Sequence, residues 1–195
     1  MNNKIIFGIG GIAVGLILAG IFGPTIFFGF KDGNRGIMGN IDKHFIEQMI
    51  PHHEGAVAMA NLALEKSKRS EIKTLANAII KDQTREIQNM SGWYADWFGK
   101  NVPTGGTAMM GGGMMSQSGM HMGGQEDMTL LENSADFDKA FLEAMIPHHQ
   151  LALMMVQMLE AGTSRPEMQQ LAKDITSSQS KEIQQMQSWY AKWYK

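Results

Sequence analysis

Two methionines and four histidines recur in matching order, as MIPHH at 49–53 and MIPHH again at 145–149, 96 residues apart. A proline inside a helix removes a backbone hydrogen bond and crowds the preceding turn, at a cost of about 3 kcal/mol. A segment that accepts this twice has a task that outweighs it. Met-x-x-His and Met-x-x-x-His put a thioether and an imidazole on one helical face, where both reach a common ion. Thioethers are soft, neutral donors that suit copper(I) and silver(I) and serve magnesium, calcium or manganese poorly. They also bind without losing a proton. The chain has 18 methionines and no cysteine, which excludes thiolate metal sites, disulfides and cysteine nucleophiles. A net charge of −2 with no stripe of Lys and Arg argues against nucleic acid as a partner.

The elements that would position these donors are legible from a duplication. DKHFIEQMIPHHEGAVAMA (42–60) aligns with DKAFLEAMIPHHQLALMMV (138–156), and QTREIQNMSGWYADW (83–97) aligns with QSKEIQQMQSWYAKW (179–193), without a gap. This is a tandem repeat. Phe45, Met49, His52, Ala56, Met59 and Ala63 alternate at spacings of 4 and 3, as do Phe141, Met145, His148, Ala152, Met155 and Leu159, which predicts a helix with one face turned to other helices. Ile72, Ala76, Ile79, Gln83, Glu86, Met90, Trp93 and Trp97 mark a second helix, echoed by Met168, Ala172, Ile175, Gln179, Glu182, Met186, Trp189 and Trp193. Turns fall at KSKRS (66–70) and AGTSRP (161–166), with Pro166 suited to the first turn of the next helix. The expected fold is all-α, an antiparallel four-helix bundle built from two duplicated hairpins, with the four tryptophans closing one end.

His52, Gln83 and Glu86 sit on otherwise apolar stripes, and buried polar groups are costly unless satisfied. Counting equal lengths of helix from a turn near 68 places Met49, His52, Gln83 and Glu86 at one level, and Met145, His148, Gln179 and Glu182 at its equivalent. His53 and His149, about 100° further round, are expected to look sideways toward neighbouring helices. Two readings follow. In one, His donates to Glu in a polar layer that fixes helix register. In the other, the layer is a metal site: Met49, His52 and His53 with Met145, His148 and His149 as soft and imidazole donors, Glu86 and Glu182 as partners for copper(II) or zinc, and Met90 and Met186 one turn further along the same stripe.

Residues 5–30 carry no charged side chain, and part of that run suffices to cross a bilayer core of about 30 Å. Residues 1–35 are therefore expected to be an uncleaved membrane anchor, with the bundle over 36–195. Within it, hairpin 1 spans 40–98, a linker 99–135 and hairpin 2 136–195. The linker is glycine-rich and exposes Met109, Met110, Met114, Met115, Met120 and Met122 with His121. Exposed thioether invites oxidation, so an idle spacer is a poor explanation and a flexible set of copper(I) ligands a better one.

The long composite pattern, Phe45 and Met49 to His53 followed by Ala56 and Met59, then Gln83, Glu86, Met90 and Trp93, with its repeat at Phe141 and Met145 to His149, Ala152 and Met155, resembles the MIPHH-motif family, a domain of unknown function with a cyanobacterial copper-binding member. The resemblance covers 42–97 and 138–193. It implies a ferritin-like four-helix bundle on the periplasmic or extracytoplasmic side that binds copper and aids copper tolerance, with the family's motif positions carried over to Met49, His52, His53 and Met59 and to Met145, His148, His149 and Met155. The donor chemistry read above adds silver as a surrogate and a role in copper sequestration or trafficking beside copper-transport or copper-sensing proteins. His44 has Ala140 as its counterpart, so a site using His44 is not duplicated. Two rival functions stand beside this one. Ferritin-like oxidases use Glu-x-x-His on paired helices, but Met49 and Met145 occupy the position three before each histidine. A methionine-rich membrane-tethered module that grips a protein partner without metal is the other.

Overall fold

The computed structural model of the protein describes residues 41–103 and 125–195. The expected anchor and the linker residues Met109, Met110, Met114, Met115, Met120, His121 and Met122 lie outside the described residues. Among the described residues, no helix is long and apolar enough to cross a membrane.

The described elements are all helical: α1 (Ile41–Lys66), α2 (Ser70–Phe98), α3 (Gln125–Glu132), α4 (Phe137–Glu160) and α5 (Pro166–Tyr194). The two expected turns join α1 to α2 and α4 to α5. Ser67 and Thr163, equivalent in the repeat, shape them alike: each hydroxyl accepts from the backbone N–H two residues on, Arg69 at 3.1 Å and Arg165 at 3.2 Å. Pro166 opens α5, where its missing N–H has no intrahelical acceptor to lose. Gly99, at φ +66°, ends α2 with its N–H donated to the Ala95 carbonyl, a left-handed cap that glycine adopts without a Cβ clash. Asp136 caps α4, accepting from the Lys139 N–H at 3.1 Å.

α1 packs on α2, α4 packs on α5, and the hairpins join chiefly through α1 and α4. Residues near the start of α1 (Phe45, Ile46) share a core cluster with those near the end of α4 (Val156, Leu159) and the start of α5 (Met168, Leu171), so α1 and α4 run antiparallel and a pseudo-twofold axis relates the repeats. The tryptophans correct the expectation. Trp93 stacks on Trp97 at 5.8 Å and Trp189 on Trp193 at 5.5 Å, but the first pair packs on one core cluster and the second on the other. Antiparallel hairpins send equivalent residues to opposite ends, so the pairs cap two ends rather than one.

Each cap is clasped across the hairpins. Arg165 lies 4.0 Å from the Trp97 ring centroid and 3.1 Å from the Asp42 carboxylate; Arg69 lies 3.9 Å from Trp193 and 3.8 Å from Asp138. The turn of one repeat thus grips the helix ends of the other. The linker reading assigned no element where α3 forms. That helix is held by tertiary burial, with Leu131 buried and Met128 packed on the second cluster.

Candidate metal centre

The expected inward face of α1 is inward: Phe45, Met49, His52, Ala56, Met59 and Ala63 are all buried, as are Phe141, Met145, His148, Ala152 and Leu159 of α4. Helical periodicity alone drives this, since fully burying an apolar side chain of this size stabilises by about 1.5–3 kcal/mol. That accounts for the methionines as packing. It does not account for four buried histidines.

The partners of those histidines differ from the expected level by one residue. His53, not His52, meets Glu86, with Nε2 to Oε2 at 2.7 Å, and His149, not His148, meets Glu182 at the same 2.7 Å. His53 and His149 therefore turn into their own hairpins rather than sideways. His52 and His148 point across the interface instead, their ring centroids 3.7 Å apart on the pseudo-twofold axis. The cause is rotational: adjacent residues differ by about 100° on a helix, and α1 and α2 pack with His53 at the shared face.

The polar inventory is incomplete. None of the four buried ring nitrogens of His52 and His148 makes a hydrogen bond of good geometry, although each ring lies within reach of the other's backbone, and Nδ1 of His53 and His149, Oε1 of Gln83 and both side-chain polar atoms of Gln179 are buried without a partner. Buried polar atoms in folded proteins are overwhelmingly paired, and these atoms gather at one level with room in their hydrogen bonding for a further donor, acceptor or water. Burial drives His52 and His53 down to about 3, with neighbouring histidine charge adding to the effect, and holds His148 well below its ordinary value. These three imidazoles are neutral at pH 7, the form that ligates a metal. Burial also raises Glu86 to about 7. A neutral imidazole donating its Nε2 hydrogen to Glu86 keeps a lone pair on Nδ1, the arrangement by which a carboxylate orients a metal-binding histidine. Glu86 and Glu182 are thus engaged by imidazole, where the sequence suggested that they face an ion themselves.

The methionines gather in two sets that cross the hairpins. Met49 and Met90 of the first repeat share a cluster with Met168 and half-buried Met155 of the second. Met145 and Met186 of the second share one with Met59 of the first. Met168 stands on the packing stripe of α5, where its repeat counterpart is Ile72, and only the three-dimensional cluster joins it to the other thioethers. Tyr94 and Tyr190 add a further mirrored pair, donating to Glu47 and Glu143 at 2.5 Å each. Among the described residues, no three imidazole or carboxylate groups gather as a cage for one ion. The donors available are imidazoles in pairs and thioethers in each of the two core clusters.

An all-α fold of two mirrored helical hairpins around paired histidines is the class these observations define. The sequence profile of the domain of unknown function DUF305 matches residues 42–190, and the chain belongs to that family. It is similar to solved structures described as CopM in the Cu(I)-bound form, at 44% identity, covering 79% of this chain and 98% of that one with a TM-score of 0.68, and CopM in the Ag-bound form, at 43% identity, 79% and 97% coverage and a TM-score of 0.67. CopM is also described in a Cu(II)-bound form. A DUF305 fragment from Deinococcus radiodurans is 25% identical, with 78% and 96% coverage and a TM-score of 0.66. "Uncharacterized protein L153" of Acanthamoeba polyphaga mimivirus is 45% identical over 51 residues, 26% of this chain. The match spans about a third of the length of that curated relative, 34%.

Proposed function

We propose that this protein binds copper(I), and silver(I) in its place, through imidazole and thioether donors inside one ferritin-like four-helix bundle. In this reading residues 1–35 hold the bundle on the periplasmic or extracytoplasmic side of a membrane, and the protein sequesters copper or passes it on without turning over a substrate. The observation that carries the proposal is the His52–His148 pair: rings 3.7 Å apart across the two repeats, whose four buried nitrogens make no hydrogen bond of good geometry, in imidazoles that burial keeps neutral. A polar layer serving only helix register would be self-satisfied. Met49, Met90 and Met155 on one side and Met145, Met186 and Met59 on the other supply soft sulfur nearby, and His53 and His149 are oriented by Glu86 and Glu182. The binding of copper and silver by CopM, at 44% identity, supports the same cargo here.

A ferritin-like oxidase needs carboxylates clustered with histidine, and the described residues do not offer that cluster. The copper-carrier reading is therefore preferred over the enzymatic one.

The test is titration of the full chain in detergent with copper(I) against a competing chelator, anaerobically. H52L/H148L is expected to lose tight uptake, M49L/M145L to weaken it, and a chain with the six linker methionines replaced to keep it. Uptake by the wild type no greater than that of a methionine-poor control overturns the proposal.

A further inference from the structure

The mirrored core leaves one feature of the second repeat without a counterpart. Met154 and Met158 stand on α4 with 52% and 63% of their surface exposed, and Leu130 is the other large hydrophobic side chain that is exposed among the described residues. The equivalent positions of the first repeat are Ala58 and Leu62, and Glu54 has become Gln150. Packing does not explain outward-facing thioethers, since exposed side chains gain little from burial. Helix propensity does not select Met either, because Gln, Glu and Lys serve a helix equally well without its liability to oxidation.

Positions i and i+4 share a helical face, with Cβ atoms about 5–6 Å apart. Long, flexible thioethers can close that gap around one ion. The same stretch of helix also reaches inward: Met155 is half-buried and packs on the cluster holding Met49, Met90 and Met168. Thioethers on this one stretch of α4 therefore stand both in solvent and against the core. At the equivalent place on the other side, Met59 is buried and no thioether stands outside it on α1.

We propose that Met154 and Met158 form a surface site for a soft monovalent cation and deliver it through Met155 to the methionine cluster of Met49, Met90 and Met168. The surface site stands on its own observations; the delivery step rests on the copper-binding reading of the core. Two neutral donors hold the ion weakly and release it to the larger buried set, so one side of the pseudosymmetric molecule loads first.

The experiment is silver(I) titration of the full chain in detergent, carrying 13C-methyl methionine, in a background with the six linker methionines replaced. Methyl resonances of Met154 and Met158 are expected to shift at the lowest silver, with those of Met155, Met49 and Met90 following and those of Met145 and Met186 last. M154L/M158L, which keeps apolar bulk on the helix, is expected to slow core loading several-fold in stopped flow and to remove one weak equivalent. Core loading at an unchanged rate in that variant, or core shifts without Met154 and Met158 shifts in the parent, overturns the proposal. Shifts confined to Met154 and Met158 uphold the surface site and overturn the copper-binding reading of the core.

Discussion

Replacing His52 and His148 together by leucine separates a structural pair of imidazoles from one held ready for an ion. In the metal-free protein both rings are buried and none of their four nitrogens makes a hydrogen bond of good geometry, each ring having only a weak contact with the other's backbone. One unsatisfied buried polar group costs about 1–3 kcal/mol, so the two poorly satisfied N–H donors hold the apo state down by at most roughly 2–6 kcal/mol. Leucine removes that cost, while imperfect fit against the opposing helix returns about 1–3 kcal/mol of it. The net expectation for H52L/H148L is a gain of about 2 kcal/mol, which for a chain of this size raises Tm by roughly 4–8 °C. The assay is thermal and denaturant unfolding of wild type and variant, with and without silver(I). Wild type gains about 2.7 kcal/mol at a free ion concentration one hundredfold above Kd, and the variant much less. An apo variant destabilised by several kcal/mol would refute the reasoning, because the imidazoles would then be satisfied members of a packed layer.

Three further outcomes follow from the geometry. R165A and R69A each lose a cation–π contact and a partly exposed ion pair, so each is expected to cost about 1–2 kcal/mol in chemical unfolding, with R165A the larger because its carboxylate is nearer. E86A strands the His53 Nε2 that now meets the carboxylate at 2.7 Å; about 1–3 kcal/mol of stability should go, along with cation affinity as His53 loses its orientation. Acid should destabilise the metal-free protein. With His52 and His53 lowered from 6.5 to about 3, the unfolded chain binds protons that the folded one refuses, so stability falls from pH 6.5 toward 3 by up to about 1.4 kcal/mol per unit for each histidine. Glu86, raised from 4.5 to about 7, works oppositely: its contribution is present below 4.5 and is lost as pH rises through 7. One carboxyl offsets only one of the lowered histidines between 4.5 and 6.5, and a Tm that stays level over that range would contradict this.

The helices, their turns and the duplication are legible because periodicity and self-alignment depend only on the chain. Met49 and His52 are visible as inward candidates for the same reason. Which histidine meets Glu86 is not, since the outcome depends on how α1 and α2 rotate against each other, and one residue of register moves a side chain through about 100°. Likewise, the separation of Trp93 and Trp97 from Trp189 and Trp193 follows from the antiparallel meeting of two hairpins, which no local pattern specifies. The reciprocal clasps of Arg69 and Arg165 join residues of different repeats, and α3 forms because Leu131 finds a core to enter. Met168 escapes as a donor because its repeat partner is Ile72, so the duplication itself points away from it.

The most direct measurement is X-ray absorption at the copper K-edge on the full chain loaded anaerobically with copper(I). The account predicts a shell of mixed nitrogen and sulfur, with the nitrogen component reduced in H52L/H148L and the sulfur component reduced in M49L/M145L. A shell of oxygen and nitrogen alone, or a mixed shell that neither substitution alters, would contradict it.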